Sequence, residues 1–136
     1  MQKVIAFEFD GVCVENLYPS IGRPLPGALN MLRRMAAADH KLVLWTIRCG
    51  KSLDDAIVWF REQGIPLFSV NELPGQYHHN QSPKVMADIV LDSRAIGVPL
   101  LKTLTSNRHR HLDWIAVEPE LYDLGLLREL EYHLPK

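Results

Sequence analysis

The sequence predicts an α/β domain built on a mainly parallel sheet, and three observations carry that prediction. Short apolar runs of strand length alternate with stretches of helical periodicity. Gly, Pro and Asn punctuate the junctions between them. Two of the runs, Val4–Phe9 and Ile89–Leu91, lead into carboxylates, Glu8 with Asp10 and then Asp92. Alternation of this kind implies right-handed β-α-β crossovers, with the sheet covered on both faces. Ligands of such sheets gather at the carboxyl ends of the strands, so acids placed there are candidates for chemistry.

The first strand sets the frame. The stretch Val4 to Val12 is an apolar run with β-branched and aromatic residues that ends in two carboxylates and a glycine, and its period of two puts Glu8 and Asp10 on the same side as the chain leaves the sheet. Gly11 follows, where the backbone can turn tightly and approach a ligand closely. Cys13 to Arg23 reads as a loop. Pro26 or Gly27 opens a helix whose stripe is Leu29, Leu32, Met35 and Ala36, and Asp39-His40 ends it. Lys41 to Thr46 is a second, buried strand. Ser52 with Asp55 resembles a capping box for a second helix, striped by Leu53, Ala56, Ile57 and Phe60 and ended by Gly64.

Leu67 to Val70 is a short third strand, and Asn71 to Pro83 a long polar loop in which His78-His79 read as exposed residues. Lys84 to Ala87 reads as a helical turn, Asp88 to Asp92 as a fourth strand, and Leu100 to Leu104 as a weak edge strand or helical turn. A last helix is expected from Glu118 or Pro119 to His133, striped by Leu121, Leu124, Leu127 and Leu130, with Gly125 costing it roughly 1 kcal/mol.

Composition narrows the function classes. The 136 residues suit one domain, 1–136, with a core that needs no staples. Lys and Arg number 15 against 16 Asp and Glu, a net charge of -1, so the balance implies no nucleic-acid partner. The one basic cluster, Arg108 to His111, reads as a solvated turn or, alternatively, an anion-facing patch. Cys13 and Cys49 are too few for a disulfide framework and are expected to be small buried hydrophobes. The N-terminus does not fit a signal peptide, and no run reaches membrane-spanning length. A cytoplasmic protein without a membrane partner is expected, and a homo-oligomer is left open.

A parallel sheet would bring Glu8, Asp10, Thr46, Lys84 and Asp92 to one rim. Carboxylates there can hold magnesium, a hydroxyl and an ammonium can bind phosphate oxygens, and amides beside Gly11 can complete a cradle. Thr46 as a capping hydroxyl and Lys84 as a surface lysine remain the plainer alternatives. Arg48 would either bind substrate phosphate or pair with a rim acid. Arg94 reads as a solvated loop residue, and Tyr18 and Trp45 as packing.

In this order the motifs resemble those of the haloacid dehalogenase-like (HAD) hydrolase superfamily. Phe7-Glu8-Phe9-Asp10-Gly11-Val12 resembles its first motif, Leu44-Trp45-Thr46 its second, Lys84 its third and Ile89 to Asp92 its fourth. Glu15 to Pro19, Ile21-Gly22, Thr46-Ile47-Arg48, Val70-Asn71-Glu72 and Asp92 to Gly97 are similar to a group of small bacterial and phage-type members. The resemblance covers residues 1 to about 98. It implies a three-layer Rossmann-like, HAD-type fold with helices on both faces and no large cap domain.

The resemblance also implies a magnesium-dependent phosphohydrolase acting on a phosphomonoester, from a small molecule or a macromolecule. Asp10 would be the general acid/base and would bind magnesium through its backbone carbonyl, Thr46 would hold the phosphoryl group, Lys84 would offset its charge, and Asp92 would hold magnesium. Two residues depart from the family. Glu8 stands at the aspartate nucleophile's position, where it would act as a weak nucleophile or as a metal ligand only; one extra methylene displaces it by roughly 1 Å, and such misplacement can cost about 10²-fold in rate. Ser93 replaces a further aspartate and should weaken magnesium binding. The implied function is an impaired phosphatase; the alternative is a non-catalytic domain that binds a phosphate ligand, a cation or a protein partner. A receiver-like phosphoacceptor is disfavoured, because its phosphorylated acid belongs on a middle strand where this chain offers Asn71-Glu72.

Overall fold

The computed structural model describes residues 1–102 and 109–128. Four strands, β1 (Val4–Phe7), β2 (Lys41–Leu44), β3 (Ser69–Val70) and β4 (Ile89–Leu91), form one sheet in the order β3-β2-β1-β4. Every pairing is parallel. The α-helices are α1 (Ala28–Ala37), α2 (Gly50–Glu62) and α3 (Trp114–Asp123). This is a small Rossmann-like α/β domain, and no cap domain interrupts the described residues.

Strand register explains the core. Ile5 pairs with Leu42 and Ile89, and Phe7 with Leu44 and Leu91, so these side chains share one face. Into that face α1 sets Ala28, Met31, Leu32 and Met35, α2 sets Ala56, Trp59 and Phe60, and α3 sets Trp114, Val117 and Leu121. Phe9, Trp59 and Phe60 meet edge-to-face or tilted at 5.0–5.5 Å, the arrangement that aromatic quadrupoles favour.

The two faces are covered unequally. All three α-helices feed the same cluster, whereas Ala6 and Val43 point to the second face and lie buried outside it. The connection from β3 to β4 carries a single 3-10 turn at Gln76–His78 and no α-helix. Gln76 organises the connection: its amide donates to the Lys84 carbonyl at 2.7 Å and accepts from the Met86 N–H at 2.8 Å. The helical turn expected at 84–87 does not form, because these backbone groups bond to Gln76 instead.

Local differences have local causes. At the start of α2, Ser52 does not cap; its hydroxyl donates to the Cys49 carbonyl at 2.9 Å, and Cys49 is the residue preceding the helix. Of the stripe expected there, Leu53 and Ile57 are only half-buried, while Trp59 takes the deeper place. The last helix begins earlier than expected. Asp113 caps it by accepting from the Ala116 N–H at 3.1 Å, and Pro119 lies inside it. The helix ends at Asp123, Leu124 is exposed, and Leu130 and His133 lie outside the described residues. Leu100 forms an antiparallel bridge with Leu112, and the rest of the expected 100–104 element falls partly on residues 103–108, which are not described.

Candidate functional site

Because the sheet is parallel, all its strands deliver their carboxyl ends to one rim. β1 runs into Glu8, Phe9 and Asp10, β2 into Trp45 and Thr46, β3 into Asn71, and β4 into Asp92, Ser93 and Arg94. A pocket of about 500 Å³ opens there, lined by Glu8, Asp10, Thr46, Asn71 and Ser93, with Arg94, His109 and Arg110 also in its lining. Trp45 and Ile47 add an apolar wall.

Glu8 is buried, and one of its carboxylate oxygens is fully engaged. Oε1 accepts from the Ser93 N–H at 2.7 Å and also from the Ser93 hydroxyl. Oε2 lies 3.7 Å from Arg94 Nε. Burial pushes the Glu8 carboxyl up from 4.5 to about 7; the Ser93 donors oppose that rise and Asp92 adds to it. Ser93 is therefore more than a missing charge, since it supplies both donors to the residue at the nucleophile's position.

Asp10 is held differently. Arg48 grips it bidentately, Nε to Oδ2 and Nη2 to Oδ1, each at 2.8 Å. The guanidinium also donates to the carbonyls of Pro19, Ser20 and Ser52, at 2.8–3.2 Å, and lies over the Phe9 and Tyr18 rings. Its side chain is wholly buried. Of the two roles open to Arg48, the structure realises the pairing with a rim acid.

Thr46 sits at the pocket as expected. Its backbone is clamped by the Asn71 side chain, which accepts from Thr46 N–H at 2.8 Å and donates to its carbonyl at 2.9 Å. The Thr46 hydroxyl accepts from the Arg48 N–H at 3.1 Å. Asp92 turns its Oδ1 to the Arg94 N–H at 2.8 Å, with Arg94 Nε 3.6 Å away.

Two expected site residues are not brought in. Lys84 is exposed and does not line the pocket; its backbone carbonyl accepts from Gln76 and its N–H donates to the Ser82 hydroxyl. Gly11 offers no amide to a ligand, because its N–H donates to Val14 O at 2.9 Å. Its positive φ of 90° and missing Cβ serve another purpose: a Cβ there would lie 2.6 Å from the Arg110 carbonyl. The close approach is made by the chain itself.

The basic cluster is not a solvated turn throughout. His111 is buried and accepts from the Asn16 N–H at 3.1 Å, and burial pushes its imidazole down from 6.5. Arg110 donates from Nε to the Ser93 carbonyl at 2.8 Å. The anion-facing alternative was the available signal for Arg110 and His109, while Arg94 and Asn71 had only their places after strand ends. Cys13 is buried as expected, and burial raises its thiol, but Cys49 is exposed.

Among the described residues, no group of three or more His, Cys, Asp or Glu side chains is arranged to hold a metal. The side chain of Asp10 does not fit that role, since both its oxygens already serve Arg48. Magnesium, however, often keeps several waters and needs only one or two protein carboxylates. Glu8 and Asp92 are the two remaining rim carboxylates, and Arg94 Nε lies 3.7 Å from the first and 3.6 Å from the second.

Fold and rim together define a small, all-parallel α/β protein with a polar pocket at the carboxyl ends of its strands. No family model matches the chain, and no curated protein matches it. The structure of a conserved protein from Bacteroides thetaiotaomicron is similar, with 32% sequence identity and a TM-score of 0.72, over 92% of this chain and 93% of that one. The chain belongs to the same family as that conserved protein. No helix among the described residues is long and apolar enough to cross a membrane.

Proposed function

We propose that the chain is a HAD-like protein that binds a phosphomonoester, of a small molecule or a macromolecule, and hydrolyses it slowly with magnesium. The observation that carries this reading is the convergence of Glu8, Asp10 and Thr46 on one pocket, with Asp92 beside Glu8. Glu8 and Asp92 would hold the ion, which would offset phosphoryl charge when bound. Thr46 would donate to a phosphoryl oxygen, and Glu8 Oε2, the oxygen that Ser93 leaves unengaged, would attack phosphorus. Asp10 would protonate the leaving alkoxide and then take a proton from the water that attacks the phosphorylated Glu8, releasing phosphate and restoring the Glu8 carboxylate.

Both acids are poorly disposed for speed. Glu8 titrates at about 7, so a large share is protonated and not nucleophilic at neutral pH. Asp10 must loosen one arm of its bidentate pair to carry a proton. That clamp favours a second reading, in which the domain binds the phosphate ligand, or a cation or protein partner, without turnover.

Hydrolysis of an aryl phosphate with and without magnesium separates the two. In the first reading the native chain turns over slowly, its rate rises with pH as Glu8 ionises, over a range that bound magnesium moves below the metal-free value of about 7, and Glu8→Asp gains about 10- to 100-fold. Asp10→Asn, verified as folded by circular dichroism, abolishes the rate. Phosphate binding without turnover in the native chain and in Glu8→Asp establishes the second reading; absence of both binding and turnover sinks each of them.

A further inference from the structure

Among the described residues, ion pairing around the pocket leaves one arginine without a carboxylate partner. Asp10 is matched by Arg48 at 2.8 Å on both oxygens. Arg94 is shared between Glu8 at 3.7 Å and Asp92 at 3.6 Å. Arg110 is exposed, and among the described residues it pairs with no carboxylate and only its Nε is tied, to the Ser93 carbonyl at 2.8 Å. Its two Nη groups remain for a ligand, on a planar fork that suits phosphate oxygens.

The backbone holds Arg110 in place from both sides. Leu112 N–H donates to the Gly11 carbonyl at 2.8 Å, and Leu101 N–H to the His111 carbonyl at 2.8 Å. His111 in turn accepts from Asn16, which itself lines the pocket. Gly11 makes this seat possible, since any Cβ would collide with the Arg110 carbonyl and the Ser93 hydroxyl. A cation fixed in this way loses little freedom on binding. Lys84, by contrast, lies outside the pocket lining.

We infer that the anionic end of the ligand is received by Arg110, with Arg94 and His109 beside it, and not by Lys84. This rests on the phosphate-binding reading and assigns that site's principal cation to a segment beyond the recognisable motifs. The dianion would sit between Arg110 and Thr46, leaving Trp45 and Ile47 to meet the apolar part of the ester.

Calorimetry and thermal shift with inorganic phosphate and magnesium, on the full chain, test it. Arg110→Ala is expected to weaken phosphate binding about 10- to 100-fold, as loss of a charged hydrogen-bonding partner does. Arg110→Lys should recover part of that loss. Both variants should keep the ligand-free melting temperature while losing some or all of the phosphate-induced rise. Arg110→Gln, which keeps a hydrogen-bonding head without the charge, provides a second neutral variant if Arg110→Ala does not fold. Undiminished binding by the neutral variant, or a larger loss from Lys84→Ala, overturns the inference and leaves the phosphate-binding reading standing. If the native chain binds no phosphate, that reading falls and the inference falls with it.

Discussion

Glu8 and Asp10 leave the same strand two residues apart, and their flanks of the pocket follow opposite electrostatic designs. On the Asp10 flank a buried arginine meets the carboxylate head-on, at 2.8 Å on each oxygen, and spends its other donors on the carbonyls of Pro19, Ser20 and Ser52. On the Glu8 flank the carboxyl is desolvated, shares space with Asp92, and finds its nearest cation only at 3.7 Å. The first flank fixes a charge and uses it to hold a loop. The second keeps a proton within reach of neutral pH. Placement at a strand end does not set an acid's behaviour; the elements that close over it do.

Removing the clamp should break the contrast most severely. Arg48→Ala leaves Asp10 without its buried partner and removes the donor of two loop carbonyls, Pro19 and Ser20, and of the Ser52 carbonyl in α2, so a loss of about 3–5 kcal/mol is expected. Arg48→Lys should recover only part, because one ammonium cannot reproduce the planar fork. Urea unfolding at constant m-value measures both. A loss below about 1 kcal/mol would mean that the loop is held elsewhere and that Asp10 is free to act as an acid.

The Glu8 flank should reveal itself through pH. Its folded value of about 7 lies above the ordinary 4.5, so the native state retains this proton more tightly than the unfolded chain. The resulting stability is fully present below about 4.5 and is lost as pH rises through about 7. Glu8→Gln stays neutral throughout. Relative to the native chain it should gain stability between pH 5 and pH 8, by about 2 kcal/mol once solvent access to the pocket is allowed for. Parallel stability profiles for the two proteins would place an ionised Glu8 on this flank at both pH values and remove the contrast.

What the sequence makes legible follows from range. Strands at Val4, Lys41 and Ile89 are local apolar runs, and the parallel sheet follows from their alternation with helices; the rim acids follow from that sheet. The pairing of Arg48 with Asp10 spans 38 residues, and nothing local chooses between that acid and a ligand. Lys84 carries a recognisable motif position, but its surroundings are set by Gln76 eight residues earlier, through backbone groups that no side-chain pattern reports. Arg110 reaches Ser93, 17 residues before it, through a stretch whose sequence has no periodicity to guide a reading. The start of α3 was legible in Asp113 as a cap, yet Pro119 is the stronger punctuation, and a proline in a helix interior is an exception that tertiary packing of Trp114 and Leu121 sustains. Ser93 shows a different limit. Its replacement of an acid reads as a lost charge, whereas the structure gives its hydroxyl and N–H to Glu8.

That exchange provides the finest discrimination between the flanks. Ser93→Ala removes the hydroxyl donor but keeps the backbone N–H, so one of the two interactions that lower the Glu8 value is lost. The carboxyl should then titrate higher than in the native chain. The variant should be less stable by about 1 kcal/mol at pH 8, where the hydroxyl serves an ionised carboxylate, and by less at pH 5, where it serves a neutral acid. The Arg48–Asp10 pair should be untouched, and the rise of any hydrolytic rate with pH should move upwards. An equal cost at both pH values would assign Ser93 to packing alone, and the two flanks would then differ only in the cations that face them.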